Sequence, residues 1–383
     1  MNETSSFNGR YYPQLDALRG IAALMVVINH FVLVGPLWWV TKSPLRVLAL
    51  GHEAVILFFV ISGFVLTLQL TSDRRVTYRD YVVKRICRIY LPYLCVVFAA
   101  FSAISLINVE PIAWAGSWFN DIWTGSFSGR EILDHLLFIG QYKANRVLPV
   151  IWSLIYEMRI SLTMPLVVYG VSRFSARSCL AAAFCISLVS FLFAMGRNGD
   201  ENSSPSFSGD WAMTAHYLGM FIVGATLARH RASWQRWLAK GDRTKLVLAA
   251  SLALYFLSRL MLSITSGAIG QYMFDWCIVA GAAGLICTAI ASKRFALLLA
   301  MRPVVFLGTI SYSLYLTHTI VLLAVIHLMS ASGSAWGAIT MAAALVIPVA
   351  AVTHLVIERP SILLGKFLTG RSVTASSRAN QAS

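Results

Sequence analysis

Residues 15–34, LDALRGIAALMVVINHFVLV, decide how this chain must fold. The run is apolar and about 20 residues long, which is the length of a helix that crosses a bilayer. It nevertheless contains Arg19 near its start and His30 deep inside, 11 residues apart. At about 3.6 residues per turn this spacing is close to three full turns, so the two side chains share one helix face, roughly 16 Å apart along the axis.

This ionisable stripe has two interpretations. A spanning helix tolerates ionisable groups only where they face protein or water, so the stripe predicts a functional site. One cation at the entry and one titratable group inside indicate a channel for a long anionic ligand whose far end reacts. The structural alternative is a histidine that only hydrogen-bonds to neighbouring helices, together with an arginine that pairs with Asp16, three residues earlier.

The composition extends the membrane interpretation to the whole chain. Of its 383 residues, 58% are hydrophobic and 12% are charged, about half the charge content of an average soluble domain. Alternation too weak for a β-barrel leaves an all-α polytopic integral membrane protein. Ten apolar runs are long enough to span a bilayer. They lie near residues 15–34, 52–71, 89–108, 150–171, 179–195, 212–228, 246–265, 272–291, 304–329 and 337–357.

The charge distribution predicts the orientation of these spans. The chain has 31 Lys and Arg against 16 Asp and Glu, a formal net charge of +15. Counted from a cytoplasmic N-terminus, 22 of the cations fall in inside segments and 6 in outside segments. Cytoplasmic loops collect Lys and Arg, so both termini are predicted to be cytoplasmic. Topology explains the positive charge better than nucleic-acid binding does, because nucleic-acid binding needs a solvated basic face.

The sequence predicts one membrane domain with polar ends. Residues 1–14 form a cytoplasmic N-terminus, residues 15–362 a transmembrane domain, and residues 363–383 a cytoplasmic tail that is expected to be disordered. The six cysteines show no zinc or haem spacing, and none lies in a predicted outer loop. We therefore expect neither a metal site nor a disulfide framework.

The long outer segment, residues 109–149, is rich in tryptophan and contains Trp114, Trp118 and Trp123. Tryptophan is enriched where a membrane protein meets the lipid headgroups, so an interfacial belt is the favoured interpretation. A platform for a sugar ring is the alternative. Within this segment, the apolar run 135–139 is too short to span and predicts a re-entrant turn.

Two motifs in the first third of the chain can contact a ligand. Arg85 and Arg88 lie three residues apart at the entry of the third span and can reach one phosphate group, for which the planar guanidinium is well suited. Positive-inside topology explains the same two cations. Ser62 and Gly63 are small residues in a bulky apolar span. They permit close helix packing or leave a gap through which a thin ligand arm passes.

Polar groups within later spans complete the candidates. Glu157 is an intramembrane carboxylate that needs a partner, and Arg159 points elsewhere on the helix, so the partner must be another group. A structural ion pair and a role in catalysis or acceptor binding are equally open. Tyr312 and His318 in the ninth span either bind an acceptor hydroxyl or cross-link helices. Trp152 is a further candidate for contact with an acceptor.

Taken together, these motifs resemble the membrane-bound acyltransferase family 3, bacterial enzymes that O-acylate surface glycans. The resemblance covers residues 11–362 and depends on the order of several short motifs. They are LDALRG with its following histidine (15–30), FFVISGF (58–64), KRICRIYLP (84–92), WSL with its following glutamate (152–157), SYSLYL with its following histidine (311–318) and IERP (357–360).

The resemblance implies an O-acyltransferase of the bacterial inner membrane. Such an enzyme moves an acyl group, expected to be acetyl, from cytoplasmic acetyl-CoA to a hydroxyl of an extracytoplasmic or lipid-linked saccharide. It implies that Arg19, Arg85 and Arg88 bind CoA. It also implies that His30 is the catalytic histidine, as a general base or as a nucleophile.

The resemblance leaves roles for the small residues and the carboxylate. Ser62 and Gly63 would line the passage of the donor, and Glu157 would orient His30 or contact the acceptor. The main alternative from another class is a membrane transporter or flippase of small metabolites or glycan precursors. Carriers often contain internal repeats, and none is visible in this sequence. Labelled acetyl-CoA separates the two classes, because only an enzyme transfers the label to a glycan.

Overall fold

A computed structural model describes residues 11–72, 77–137, 146–198, 211–265, 267–330 and 333–370. Over these residues every regular element is helical, and none is a β-strand. Nine helices in the described ranges are long and apolar enough to cross a membrane. The predicted all-α, multi-pass membrane architecture is therefore confirmed. The orientation of the two termini stays a prediction.

Within the described ranges, seventeen α-helices follow one another, with two 3-10 segments after the first helix (Gly35–Lys42 and Pro44–Leu48) and two π-helical turns (Ile86–Tyr90 and His354–Glu358). In chain order the α-helices are α1 (Pro13–Val32), α2 (Gly51–Ser72), α3 (Tyr78–Arg85), α4 (Leu91–Leu106), α5 (Ser117–Asn120), α6 (Gly129–Leu137), α7 (Ile151–Arg173), α8 (Ala176–Asn198), α9 (Trp211–Arg229), α10 (Arg231–Leu238), α11 (Arg243–Leu257), α12 (Leu260–Ile264), α13 (Gly267–Ala291), α14 (Lys293–Leu299), α15 (Arg302–Met329), α16 (Ala335–Thr353) and α17 (Arg359–Leu368).

Two boundaries differ from the sequence prediction. The predicted span 246–265 is divided into α11 and α12, and the break lies at Ser258 and Arg259. The Ser258 hydroxyl donates to the carbonyl of Tyr255 at 2.9 Å, and the Arg259 Nε donates to the carboxylate of Glu53 at 3.1 Å, so polar contacts replace the continuous helix. Residues 363–368 of the predicted tail belong to α17, whereas residues 371–383 lie outside the described part of the chain.

The chain forms two compact units, each made of three separate segments. Unit 1 comprises residues 1–29, 44–74 and 163–311, and unit 2 comprises residues 30–43, 75–162 and 312–383. The single transmembrane domain over residues 15–362 stays a prediction.

Helices in unit 1 approach one another closely through glycine. A Cβ on Gly63 of α2 would overlap the backbone of Phe221 in α9, and a Cβ on Gly224 of α9 would overlap the backbone of Val60 in α2. Small residues permit this distance because nothing projects between the two backbones. The α2–α9 pair is therefore packed backbone to backbone at these points.

Unit 1 also contains a buried polar network that joins α2, α8, α9 and α13. The Asp275 carboxylate accepts from His52 Nε2 at 2.7 Å and from His216 Nε2 at 3.0 Å. The other imidazole nitrogen of His216 contacts the Ser187 hydroxyl at 2.8 Å, which also accepts from Trp276 Nε1 at 3.0 Å. Ser187, His216 and Asp275 are fully buried. A buried carboxylate is tolerated when its oxygens are hydrogen-bonded in this way.

In unit 2, tyrosine hydroxyls connect the helices. Tyr81 of α3 donates to the carbonyl of Ser161 in α7 at 2.7 Å, and Tyr312 of α15 donates to the carbonyl of Ile89 at 2.6 Å. Tyr93 of α4 donates to a carbonyl of α6 at 2.9 Å. These contacts join α3 to α7, α15 to the π-helical turn at Ile86–Tyr90, and α4 to α6.

Candidate active site

His30 lies near the end of α1 and makes a direct hydrogen bond to a second histidine. Its Nδ1 is 2.9 Å from Nε2 of His318 in α15. His318 is fully buried, and its Nδ1 lies 2.9 Å from the carbonyl oxygen of Leu314, one helical turn earlier. The two imidazoles form a dyad that ends on a backbone carbonyl.

For two neutral imidazoles, the connectivity of this dyad determines which nitrogen of each ring carries the proton. A carbonyl oxygen only accepts, so Nδ1 of His318 carries the proton and donates it to Leu314. A neutral imidazole carries one proton, so Nε2 of His318 is an acceptor and Nδ1 of His30 is the donor in the contact between the rings. The unprotonated nitrogen of neutral His30 is therefore Nε2, which is the form that a general base or a nucleophile requires.

Aromatic rings enclose the dyad. The indole of Trp118 in α5 stacks on the His30 imidazole, with ring centroids 5.2 Å apart and planes at 28°. Tyr315 lies edge-on to His318 at 6.2 Å, and its hydroxyl is 2.6 Å from that of Ser153 in α7. The hydrogen bond to His318 and the stacking on Trp118 together define the rotation of the His30 ring.

A cation cluster lies at the junction of α3 and α4. Arg85 is buried and its guanidinium donates to the Glu157 carboxylate of α7 at 3.1 Å. The Nε of Arg85 is also buried and has no hydrogen-bond partner among the described residues. Arg88, three residues later, is exposed. Between the two arginines the helix passes into a π-helical turn that begins at Ile86 and contains one residue more than an α-helical turn. The wider turn changes the angle between the positions of Arg85 and Arg88 around the helix axis.

Arg19 lies in unit 1 and pairs with Asp16 of the same helix, at 3.1 Å. The i,i+3 pairing that the sequence predicted is therefore present. Among the described residues, no group of three or more His, Cys, Asp or Glu side chains is arranged to hold a metal ion.

A family model described as an acyltransferase domain (family 3) matches residues 12–356. That range includes both histidines and the cation cluster. The chain belongs to this acyltransferase family. The resemblance inferred from the six motifs is thus confirmed over nearly the whole chain.

Two relatives illustrate the similarity. The chain is 27% identical over 333 residues to the O-acetyltransferase OatA of Staphylococcus aureus, which covers 82% of this chain and 51% of OatA. It is 24% identical over 328 residues to the putative peptidoglycan O-acetyltransferase YrhL of Bacillus subtilis, which covers 81% of this chain and 48% of YrhL. The chain therefore spans about half the length of these relatives. No solved structure matches the chain.

Two candidates have neighbours that differ from those expected. Glu157 was expected to orient His30 or to contact the acceptor; the partner of His30 Nδ1 is His318, and Glu157 pairs with Arg85. His318 was expected to contact the acceptor. Its two nitrogens are instead hydrogen-bonded to His30 and to Leu314, which is the arrangement of an orienting group.

Four other candidate residues are buried or contact neighbouring helices. The side of Gly63 that was expected to form a ligand gap is filled by the backbone of α9, because two apolar helices pack more closely where a side chain is missing. Ser62, the other proposed donor contact, is buried beside it. Tyr312 connects α15 to the π-helical turn through its hydroxyl. Trp152 is buried and lies edge-on to Tyr156 at 6.2 Å.

Two tryptophans of the segment 109–149 contact protein groups. Trp118 covers His30, and Trp123 is buried, with its indole nitrogen donating to the carbonyl of Val147 at 2.9 Å. In the same segment His135 is buried on α6, and this burial lowers its pKa to about 4. The part of the predicted re-entrant turn beyond Leu137 lies outside the described residues.

Proposed function

We propose that this acyltransferase moves an acetyl group from cytoplasmic acetyl-CoA to a hydroxyl of an extracytoplasmic or lipid-linked saccharide at the bacterial inner membrane. The observation that carries the proposal is the hydrogen bond from His30 Nδ1 to His318 Nε2. It keeps the reactive nitrogen of His30 unprotonated on the side away from His318. The names of the relatives, O-acetyltransferase and peptidoglycan O-acetyltransferase, support acetyl as the group and a cell-wall glycan as the acceptor class.

In the proposed mechanism His30 is a general base. Its Nε2 takes the proton of the acceptor hydroxyl as the oxygen forms a bond to the thioester carbonyl carbon. The carbon–sulfur bond then breaks, and the imidazolium returns the proton to the departing CoA thiolate. His318 accepts a hydrogen bond from His30 Nδ1 throughout, so the positive charge on His30 is stabilised by a fixed neighbour.

For the donor we propose that the cations bind the CoA phosphates. Arg88 is exposed, and Arg85 retains a buried Nε donor besides its contact with Glu157. Arg19 is a further proposed contact, as the family motif implies. Along α1 about 16 Å separate the levels of Arg19 and His30, comparable to an extended pantetheine arm.

The decisive experiment measures transfer of labelled acetyl from acetyl-CoA to membrane glycan. Replacement of His30 by alanine should abolish transfer while the protein remains folded and still binds acetyl-CoA. His230→Ala is the matched control, because His230 lies between α9 and α10, outside the dyad. Transfer that persists in His30→Ala would refute the mechanism.

The same experiment tests the transporter alternative. A carrier would move substrate across the vesicle membrane without producing labelled glycan. Its transport rate would not be abolished by His30→Ala. If labelled enzyme accumulates when no acceptor is present, His30 acts as a nucleophile and not as a general base. The intermediate would then be an acetyl-imidazole on Nε2.

A further inference from the structure

The outer segment between α4 and α7 places a tryptophan directly against the proposed base. Trp118 is half-buried, and its indole plane lies at 28° to the His30 imidazole with centroids 5.2 Å apart. A near-parallel ring at this distance presents its π-face to the imidazole. A tryptophan of an interfacial belt would instead lie among lipid headgroups.

The backbone of this segment is anchored next to α1. The amide of Gly35, just after α1, donates to the carbonyl of Ala115 at 2.9 Å. A Cβ on Gly35 would overlap the Trp114 carbonyl, so only glycine permits this approach. The side chain of Asn120 closes the turn, because it accepts from the Ile112 amide at 2.9 Å and donates to the Ile112 carbonyl at 3.0 Å.

A second anchor follows α5. Phe119 packs on the ring of His327 at 5.0 Å, and Trp123 stacks on the same ring at 6.3 Å. Trp123 has a φ of 65°, a conformation that a bulky side chain rarely adopts. Its amide and its indole nitrogen both donate to carbonyls of the segment before α7, which holds this backbone in place. Strained residues of this kind persist where the surroundings determine them fully, often at functional sites.

We propose that Trp118 is a positioning residue for acyl transfer, whose indole face stabilises the imidazolium that His30 becomes while it holds the acceptor's proton. The inference rests on the proposed function. The face of an indole attracts a cation that lies within about 6 Å of its centroid, and more strongly when both are desolvated. Neutral His30 gains little from this contact. The stabilisation therefore applies to the charged state formed during transfer and acts on the rate of the chemical step.

The test varies the charge of the indole face without changing its shape. Tryptophan with one, two, three and four ring fluorines is incorporated at position 118, and initial rates are measured at saturating acetyl-CoA and acceptor. Each fluorine weakens the negative face, so kcat should fall stepwise, by roughly 2- to 30-fold over the series. The KM for acetyl-CoA should stay constant. The same series at Trp336, an exposed residue of α16, is the matched control and should leave kcat unchanged.

The outcomes separate the inference from its alternatives. A kcat that is constant across the series overturns it. A constant kcat with a rising KM for the acceptor also overturns it, and would assign the indole to a platform for the sugar. If His30→Ala is inactive while the series is flat, only the role of Trp118 is wrong. If His30→Ala retains transfer, the proposed function itself is wrong. Size-exclusion profiles in detergent identify any variant that fails to fold.

Discussion

Replacing His318 by phenylalanine removes the acceptor of the His30 Nδ1 proton and keeps a ring of similar size in the buried position. His30 then loses the contact that selects its tautomer, and a neutral imidazole with its proton on Nε2 cannot act as a base at that nitrogen. General base catalysis contributes about 10²- to 10⁴-fold. We therefore expect kcat to fall by roughly 10²- to 10⁴-fold, with the KM for acetyl-CoA nearly unchanged.

The cost in stability is expected to be much smaller. One hydrogen bond between neutral groups contributes about 0.5–1.5 kcal/mol, and an unsatisfied buried donor costs about 1–3 kcal/mol. The variant should thus remain folded in detergent with a modestly lower melting temperature. The assay is transfer of labelled acetyl to membrane glycan over a range of acetyl-CoA concentrations.

Glutamine at position 318 is the matched control. Its amide has one acceptor and one donor group, so it can accept from His30 and donate to the carbonyl of Leu314. His318→Gln should recover part of the rate that His318→Phe loses. A phenylalanine variant with a rate within threefold of the original protein would refute the tautomer argument, because the hydrogen bond would then have no role in the chemistry.

Four further predictions follow from other contacts. Arg88→Gln should raise the KM for acetyl-CoA by about 10- to 150-fold, because a charged hydrogen bond to phosphate contributes roughly 1.5–3 kcal/mol, and an unchanged KM would remove Arg88 from the donor site. Asp275→Asn should lower the melting temperature strongly, since breaking a buried ion pair costs about 3–5 kcal/mol; thermal unfolding in detergent measures it. Gly63→Ala should destabilise by about 1–3 kcal/mol through overpacking against α9, whereas the open Gly170 provides a control site for the same substitution. The pKa of His135 is about 4, against about 6.5 when unfolded. The folded state therefore binds fewer protons between these values, and stability should fall as pH drops through this window. His135→Leu should abolish that part of the pH dependence, and a slope unchanged from the original protein would contradict it.

The spans were predictable because apolar length alone identifies a helix in lipid. The rule that an ionisable group within a span marks a functional or partnered position found His30 and Glu157. The helix break at Arg259 was not predicted, because its partner Glu53 lies 206 residues away in the sequence. A local sequence pattern does not predict a contact between residues so far apart in the chain.

The partners within the site were not predictable for the same reason. His30 and His318 are 288 residues apart. The sequence identified both as candidates but did not predict the hydrogen bond between them. The network around Asp275 was missed although a signal existed: His216 and Asp275 are ionisable residues within predicted spans. Applying the rule used for His30 to those two spans would have indicated a buried polar contact.

The wide turn at Ile86–Tyr90 gives the chain an unusual tolerance of length at this point. The turn holds one residue more than an α-helical turn, so loss of a single residue there would allow a regular α-helix to form while the segments before and after it keep nearly the same direction. Tyr93, which is fully buried, would then still point toward α6. Loss of one residue from a regular α-helix instead rotates everything that follows by about 100°. The same deletion would therefore be mild for the packing of α4 within the wide turn and harmful a few residues further along the helix.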